Sequence, residues 1–386
     1  MSGRDPFCQP RRIRRGAALT LVFASVLVAG AATGNLPGAD REATAEGARP
    51  AAPVGHHADV ARAAEEAAAD GTSPLEAAQR AVSRSGDRWA AVYSPGEYEE
   101  FEDALDGQYT GVGLWARERD GRVEVTKVGG GTPAAEAGIR AGDRLRSVDG
   151  EPVDGRPVTE VVSLLRGDTT GESAGTTVRL GLERGTRAWS ETLRRARLSR
   201  DTVTVRELAP RVCVIEVGAF TKGTGDQVRT AVRRVPAGSG IVLDLRGNPG
   251  GLVAEAVTAA SAFLDGGLVA TYDVEGEQRA LHAEPGGDTT RPLVALVDGG
   301  TMSAAELLTG ALRDRGRAVV VGSRTFGKGS VQMPTPLPDG SVAELTVGHY
   351  RTPSGRGVDG HGLTPDLEAG ERALERAETV LSGLGR

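Results

Sequence analysis

From Arg211 onward the chain repeats one pattern. Short apolar runs, "VCVIEV", "GIVLDLR", "PLVALVD" and "RAVVVG", alternate with the helical stretches "GDQVRTAVRRV", "LVAEAVTAASAFL" and "AAELLTGALRDR". Runs that are apolar at successive residues, rather than at every second one, suit strands covered on both faces. Such strands separated by helical patterns predict a largely buried sheet with crossover helices. The closing stretch "ERALERAETVLSGL" predicts a terminal helix.

The first half reads differently. Between Tyr109 and Leu198, "VEVTKV" and "TVRLGLER" alternate apolar and polar, and "DRLRSVDG" gives a strand and a tight turn. "TPAAEAGI" and "PVTEVVSLLRG" supply a short and a longer helix. The sum is a partly open β-barrel with two helices. Ahead of it, "ADVARAAEEAAAD" and "SPLEAAQRAVSRS" predict two more helices. The second carries Ser73 as N-cap, Pro74 in the first turn and Glu76 three residues after the cap, a capping-box pattern. Residues 32–56, rich in Ala, Gly and Pro without a period, read as a flexible tether.

A chain of 386 residues has room for two or three domains, and 39% hydrophobic with 25% charged residues is ordinary for a soluble globular protein. The first residues stand apart. Arg11, Arg12, Arg14 and Arg15 precede the uncharged "GAALTLVFASVLVAGAATG", the basic and apolar regions of an export signal, and Ala29-Gly30-Ala31 offers a cleavage site. The apolar run from Ala17 to Ala32 is short against the ~20 residues of a bilayer span. Uncharged residues continue to Ala39, so cleavage and retention as a single-span anchor both stay open. Cys8 precedes the apolar run and leaves Cys213 alone after cleavage, which excludes a disulfide within the mature chain. In "VCVIEV" Cys213 reads as a small buried hydrophobe. Net charge is −6. Residues 1–31 hold five Arg and one Asp, so a chain cut after Ala31 carries −10, with no electrostatic case for nucleic acid. No metal-ligand spacing appears, and no cofactor is expected.

Three features of the α/β half carry chemistry. The strand "GIVLDLR" runs into "GNPGG" (residues 247–251), whose glycines let backbone N–H groups face a ligand. The strand "PLVALVDGG" runs through Thr301 and Met302 into Ser303 at the head of a helix. A serine there is ordinarily an N-cap. The same place also exposes Oγ beside the positive end of the helix dipole, with the Ala304 N–H positioned for a developing oxyanion. Finally, "SRTFGKGSVQ" contains Lys328, one of only three lysines in a chain that otherwise writes its cations as Arg, and Gln332 follows four residues later. Arg serves for charge but cannot give up its proton, whereas Lys can.

"DLRGNPGG", "DGGTMSAAELLTGAL", "GSRTFGKGSVQ" and "YRTPSGRGVDGHGLTPDLE", in that order and spacing, resemble the successive motifs of the C-terminal processing peptidases, or tail-specific proteases. "YSPGEYEEFEDALDGQYTGVGL" is similar to that family's entry into its PDZ domain, and "GVGLW" with "GGGTPAAEAGIRAGDRLRSVDGEPV" resembles a permuted bacterial PDZ domain. The resemblance covers about residues 60–370. It implies a multidomain fold: a signal peptide or anchor (1–31), the tether (32–56), a helical N-terminal segment (57–106), a PDZ-like partly open β-barrel (107–198) and an α/β protease core with a C-terminal helix (199–386). By position it makes Ser303 the nucleophile, Lys328 the general base and Gln332 the residue orienting the amine. The Ala304 N–H and a glycine of the "GNPGG" turn would form the oxyanion hole, with Gly250 preferred and Gly251 left open. Gly111, Val112, Gly113 and Leu114 match the loop that receives a C-terminal carboxylate, with Val112 and Leu114 lining the groove. The chain departs from the family at Thr301 and Met302, where small residues are common, which puts the adjoining substrate pocket in doubt. The implied partners are protein or peptide substrates with free C-termini, met outside the cytoplasm, with membrane association only through an uncleaved N-terminal segment.

Three rival readings are weaker. A triad through His349 or His361 has no sequence placement against Ser303. A non-enzymatic exported PDZ receptor with a protease-like scaffold would be favoured by loss of Ser303, Lys328 or Gln332, and all three are present. A trypsin-like protease needs "GNSGG" where this chain has Pro249.

The demand on the lysine can be put in numbers. With a pKa of ~10.4, only about one lysine in 2,500 is neutral at pH 7. A pKa of ~8 raises this to roughly one in ten, at a cost of about 3.3 kcal/mol, and burial supplies a shift of that kind. No comparable pocket brings Arg into range. Lys328→Arg is therefore expected to abolish turnover with the fold intact, as is Ser303→Ala. A Lys328→Arg variant keeping more than about a tenth of the wild-type kcat would overturn the assignment, since loss of a general base costs ~10²–10⁴.

Overall fold

The computed structural model describes residues 56–167, 174–199, 201–274 and 277–384. The export signal and nearly all of the tether lie outside them. The N-terminal segment comprises α1 (His56–Ala69), α2 (Pro74–Ser85), β1 (Ala91–Tyr93) and α3 (Pro95–Leu105). Ser73 caps α2, its hydroxyl accepting the Glu76 N–H at 3.3 Å. The strand was not foreseen, and it removes the independence of this segment. Tyr93, Val92 and Ala91 pair with Val342, Ala343 and Glu344 of the core. Val60, Ala64, Ala78 and Ala90 then pack on Leu337, Ala343 and Leu345.

The PDZ region follows as β2 (Gln108–Gly111), β3 (Leu114–Arg119), β4 (Arg122–Val128), α4 (Pro133–Glu136), β5 (Arg144–Val148), β6 (Glu151–Pro152), α5 (Val158–Arg166), β7 (Thr177–Arg184), β8 (Arg187–Arg194) and β9 (Ala196–Ser199). Strands pair in the order β3-β4-β5-β7-β8, with β6 on β5, and β2 pairs with β9 as a separate ribbon. Alternation along β7 is borne out: Val178, Leu180 and Leu182 point into a core shared with Val123, Val125, Leu145 and Val161. Strand β3 is an edge, and α5 packs along it.

The α/β core begins with β10 (Val203–Ala209), β11 (Val212–Val217), α6 (Thr224–Arg234), β12 (Gly240–Asp244), α7 (Val253–Ala260), β13 (Leu268–Val274), β14 (Glu277–His282) and β15 (Leu293–Val297). It continues with α8 (Ala304–Asp314), β16 (Val319–Gly322), β17 (Ser330–Pro336), β18 (Val342–Arg351), β19 (Leu367–Glu368) and α9 (Ala373–Leu384). One sheet runs β10-β11-β12-β15-β16-β19, parallel except for β10. Every residue of β12 and β15 is buried, as continuous apolar runs require. Helices α6, α7 and α8 cover one face, and Ala373, Ala377 and Leu381 of α9 pack on the other. A second sheet, β1-β18-β13-β14 with β17 on β18, stands beside it. Cys213 is buried, as expected.

One buried cation holds the PDZ helix in place. Arg195, 2% exposed, donates to the carbonyls of Leu164 and Leu165 at the end of α5, at 3.1 and 3.0 Å, and to the Thr177 carbonyl at 3.0 Å. The first two are orphan carbonyls of a helix C-terminus, and a guanidinium can satisfy several acceptors at once. Arg195→Met is expected to destabilise the PDZ region by about 1.5–3 kcal/mol. Loss of hydrogen-exchange protection in α5 with the core sheet unaffected would show it.

Candidate active site

Parallel sheets bind ligands beyond the carboxyl ends of their strands. Here the neighbouring strands β12, β15 and β16 end together and release the turn 245–252, the loop 298–303 and the loop 323–329. Hydrogen bonds lace these loops together. The fully buried Asn248 donates from Nδ2 to the Val217 carbonyl at 2.7 Å and accepts the Gly250 N–H at 2.8 Å. Its own carbonyl accepts the Met302 N–H at 2.9 Å. Thr301, also fully buried, donates its hydroxyl to the Leu245 carbonyl at 2.8 Å and accepts the Phe326 N–H at 3.1 Å. The departure at Thr301 is thus a loop fastener.

Ser303 sits immediately before α8 with φ 51° and ψ −117°, outside the helical basin. For a residue with a Cβ this costs of order 1–3 kcal/mol and persists only where the surroundings enforce it. They do. The Ser303 carbonyl accepts the Tyr350 hydroxyl at 3.1 Å and the Leu307 N–H at 2.9 Å, while its N–H donates to Glu306 Oε2 at 3.0 Å. Glu306 is fully buried and accepts three further bonds, from the Thr325 hydroxyl, the Gly327 N–H at 2.8 Å and the Lys328 N–H at 2.9 Å. Burial raises its pKa against the pull of those four donors. The backbone nitrogens of Ser303 and Lys328 therefore lie within 3.0 Å of the same carboxylate oxygen. Glu306 escaped the sequence reading although a signal was there, since Ser303-x-x-Glu306 has the capping-box spacing recognised at Ser73.

Lys328 is 9% exposed. Its ammonium lies 5.3 Å from the centre of the Trp89 ring, a residue from the loop between α2 and β1. Desolvation lowers its pKa, against the charges of Glu344, Asp87 and Asp359, which favour the ammonium. The Trp89 face adds ~0.5–2 kcal/mol in favour of the charged form, yet the ring also excludes water. Burial prevails. On β17, the Gln332 Nε2 donates to the Ser330 hydroxyl at 2.7 Å and meets Thr346 Oγ1 at 3.4 Å. His349 and His361 both turn to Asp359, the first with Nε2 3.9 Å from Oδ2, the second with Nδ1 2.8 Å from the carbonyl.

The turn at 247–251 corrects one expectation. Gly250 lies where expected: with φ +94°, a Cβ on it would come within 2.9 Å of Ser303 Cβ and 3.0 Å of the Ala304 nitrogen. Its N–H, however, is already committed to Asn248 Oδ1. The Phe220 bridge uses the Gly250 carbonyl and the Leu252 N–H, and so leaves the Gly251 N–H out. Of the two glycines, Gly251 is the one whose N–H is not taken by Asn248 or by the Phe220 bridge. A side-chain acceptor two residues back cannot be read from a Gly-rich turn.

The PDZ loop is corrected at one position. Val112 is 2% exposed and packs in the domain core, so its side chain does not line a groove. Its carbonyl accepts the Ala134 N–H at 2.9 Å, and the Gly113 carbonyl accepts the Gly129 N–H at 2.9 Å. Gly113 adopts φ +80°, where a Cβ would overlap Thr132. Gly111 closes β2, and Leu114 opens the edge strand β3, half-buried against the same core.

A parallel core sheet with Ser303 and Lys328 at its carboxyl end, preceded by a PDZ region, can be set beside known families. Residues 211–369 match peptidase family S41 and residues 124–180 match the PDZ domain family. The carboxy-terminal processing protease CtpA of Bacillus subtilis (strain 168) is 31% identical over 288 residues, 73% of this chain and 61% of its own length. Carboxyl-terminal-processing peptidase 3, chloroplastic, of Arabidopsis thaliana is 34% identical over 308 residues, 74% of this chain and 58% of its own. The solved structure of a photosystem II D1 C-terminal processing protease superposes with TM-score 0.51 at 29% identity, over 81% of this chain and 86% of that one. Residues 211–369 belong to peptidase family S41, and the relatives this chain is similar to are C-terminal processing proteases. The chain spans about six-tenths of the length of these curated relatives.

With Lys328 as the base, its lowered pKa implies a pH dependence. The neutral amine grows as pH rises, so kcat/KM is expected to climb through an apparent pKa below the ordinary lysine value of ~10.4. A profile already flat above pH 6 would transfer the role to a histidine.

Proposed function

We propose that the chain is an exported serine endopeptidase that takes substrates by their C-terminal tails and cleaves them with a Ser303–Lys328 dyad. In this reading neutral Lys328 accepts the Ser303 hydroxyl proton as Oγ attacks the scissile carbonyl. The Ala304 and Gly251 N–H groups receive the oxyanion. Lys328 then returns the proton to the leaving amine, and water hydrolyses the acyl-enzyme by the same steps in reverse order. Gln332 orients the amine. The observation that carries the proposal is the Glu306 carboxylate, which accepts the N–H groups of both Ser303 and Lys328, at 3.0 and 2.9 Å. An N-cap role alone gives no reason for a serine to be strained and fastened to a lysine loop. Export rests on the N-terminal basic and apolar segment.

Tail recognition is assigned to the loop 111–114 and the free edge of β3, where an extended peptide adds a strand. Leu114 rather than Val112 contributes the apolar side chain. A carboxylate held by several charge-assisted hydrogen bonds gains ~1.5–3 kcal/mol from each at most. Amidating a substrate's C-terminus is therefore expected to cost at least about tenfold in kcat/KM, with kcat at saturation much less affected. Equal cleavage of free and amidated substrates removes tail recognition. Failure to cleave unstructured proteins of any tail removes the peptidase reading.

A further inference from the structure

Gln332 is a primary amide, and only one of its two ends is an acceptor that can hold an amine. An amide at such a site needs something to stop it flipping. Its Nε2 donates to the Ser330 hydroxyl at 2.7 Å and faces Thr346 Oγ1 at 3.4 Å. A hydroxyl can serve as donor or acceptor, so neither contact alone fixes the amide. The fixing group stands one step further out, before the PDZ region. Asp87 Oδ1 accepts the Thr346 hydroxyl at 2.9 Å and Oδ2 accepts the Thr346 N–H at 3.0 Å. Oδ1 also accepts the N–H groups of Trp89 and Ala90 at 3.0 and 3.1 Å.

The polarity then propagates without choice. The Asp87 oxygens accept in every one of these bonds, so the single Thr346 hydroxyl proton is directed to Asp87. What remains on Thr346 Oγ1 is lone pairs, which receive a donor and repel a carbonyl. The Gln332 amide must present Nε2 to it, leaving Oε1 as the end available to the Lys328 amine. A β-bulge makes the contact possible. Ser330 pairs with His349 and Val331 with Gly348, but Gln332 pairs with Thr346, Val347 being the extra residue. In unbroken register Gln332 would stand opposite Val347, which has no hydroxyl. Bulges beside active sites re-aim side chains in this way.

We infer that Asp87, acting through Thr346, is a positioning residue that holds the Gln332 amide with its carbonyl oxygen toward the catalytic lysine. The inference rests on the dyad reading above. Asp87 lies outside the residues matched to either family, so the protease core would be incomplete without the segment that precedes the PDZ region.

The test uses the full chain and an unstructured protein substrate with a free C-terminus, comparing Thr346→Val, Thr346→Ser, Asp87→Ala and Gln332→Ala. Thr346→Val is expected to lower kcat by about tenfold or more with KM within about threefold, while Thr346→Ser restores kcat to within about threefold of wild type. Added to Gln332→Ala, Thr346→Val is expected to cost less than about a further twofold, because the two act as one unit. A merely structural role would give independent, multiplying losses. Wild-type kcat in Thr346→Val or in Gln332→Ala, or a full additional loss in the double variant, overturns the inference. If Asp87→Ala fails to fold, as judged by circular dichroism, the Thr346 pair decides alone. Ser303→Ala and Lys328→Arg, run beside them, separate the two levels. Activity in those variants sinks the dyad itself, whereas inactivity there with normal Thr346→Val sinks only the positioning role.

Discussion

A carboxylate with no exposure to water holds this site together. Glu306 takes hydrogen bonds from Ser303, Thr325, Gly327 and Lys328, residues drawn from the loops that follow two neighbouring strands. Burying a charge is costly unless it is fully bonded, and here four donors converge on two oxygens. The same bonds impose the backbone geometry of Ser303, so the desolvation of one residue and the strain of another are settled together. An apolar residue in its place would leave buried N–H groups orphaned and release both loops.

The surrounding architecture works to keep that arrangement dry and stiff. The parallel strands β12 and β15 are buried along their whole length, which aligns their carboxyl ends and fixes the spacing of the loops they release. Asn248 and Thr301 cross-link the loops from within. Trp89 closes over the lysine from the N-terminal segment, itself anchored by β1 on β18 and by the Trp89 indole donating to Asp359 at 3.3 Å. The lysine loses water on one side to the core and on the other to a residue more than two hundred positions away. That is why its ammonium is disfavoured although three acidic residues surround it.

Much of the fold was legible because its signals are local. Continuous apolar runs marked the parallel strands, period-two alternation marked β7, and Ser73 marked the start of α2. Strand β1 was not legible, since three half-buried residues carry no periodicity and are strands only because β18 offers them an edge. The mistake at Val112 has a similar source. A residue beside a glycine in a binding loop looks exposed in sequence, and only packing against Ala134, Ile139 and the rest of the domain core turns it inward.

The sequence by itself determined the candidate reacting groups. A serine at a strand-to-helix junction, a lysine in a chain written in arginine and a glutamine four residues on are chemical choices that a string of residues can display. The tertiary structure decided how those groups are held. Glu306 is tied to Lys328 across 22 residues, Asp87 to Thr346 across 259, and Gly250 loses its N–H to an asparagine within its own turn. Each depends on where a hydrogen-bond donor finds its acceptor after the chain has closed on itself. Register decides this, down to one extra residue in β18, and register is a property of paired strands that neither strand's sequence contains alone.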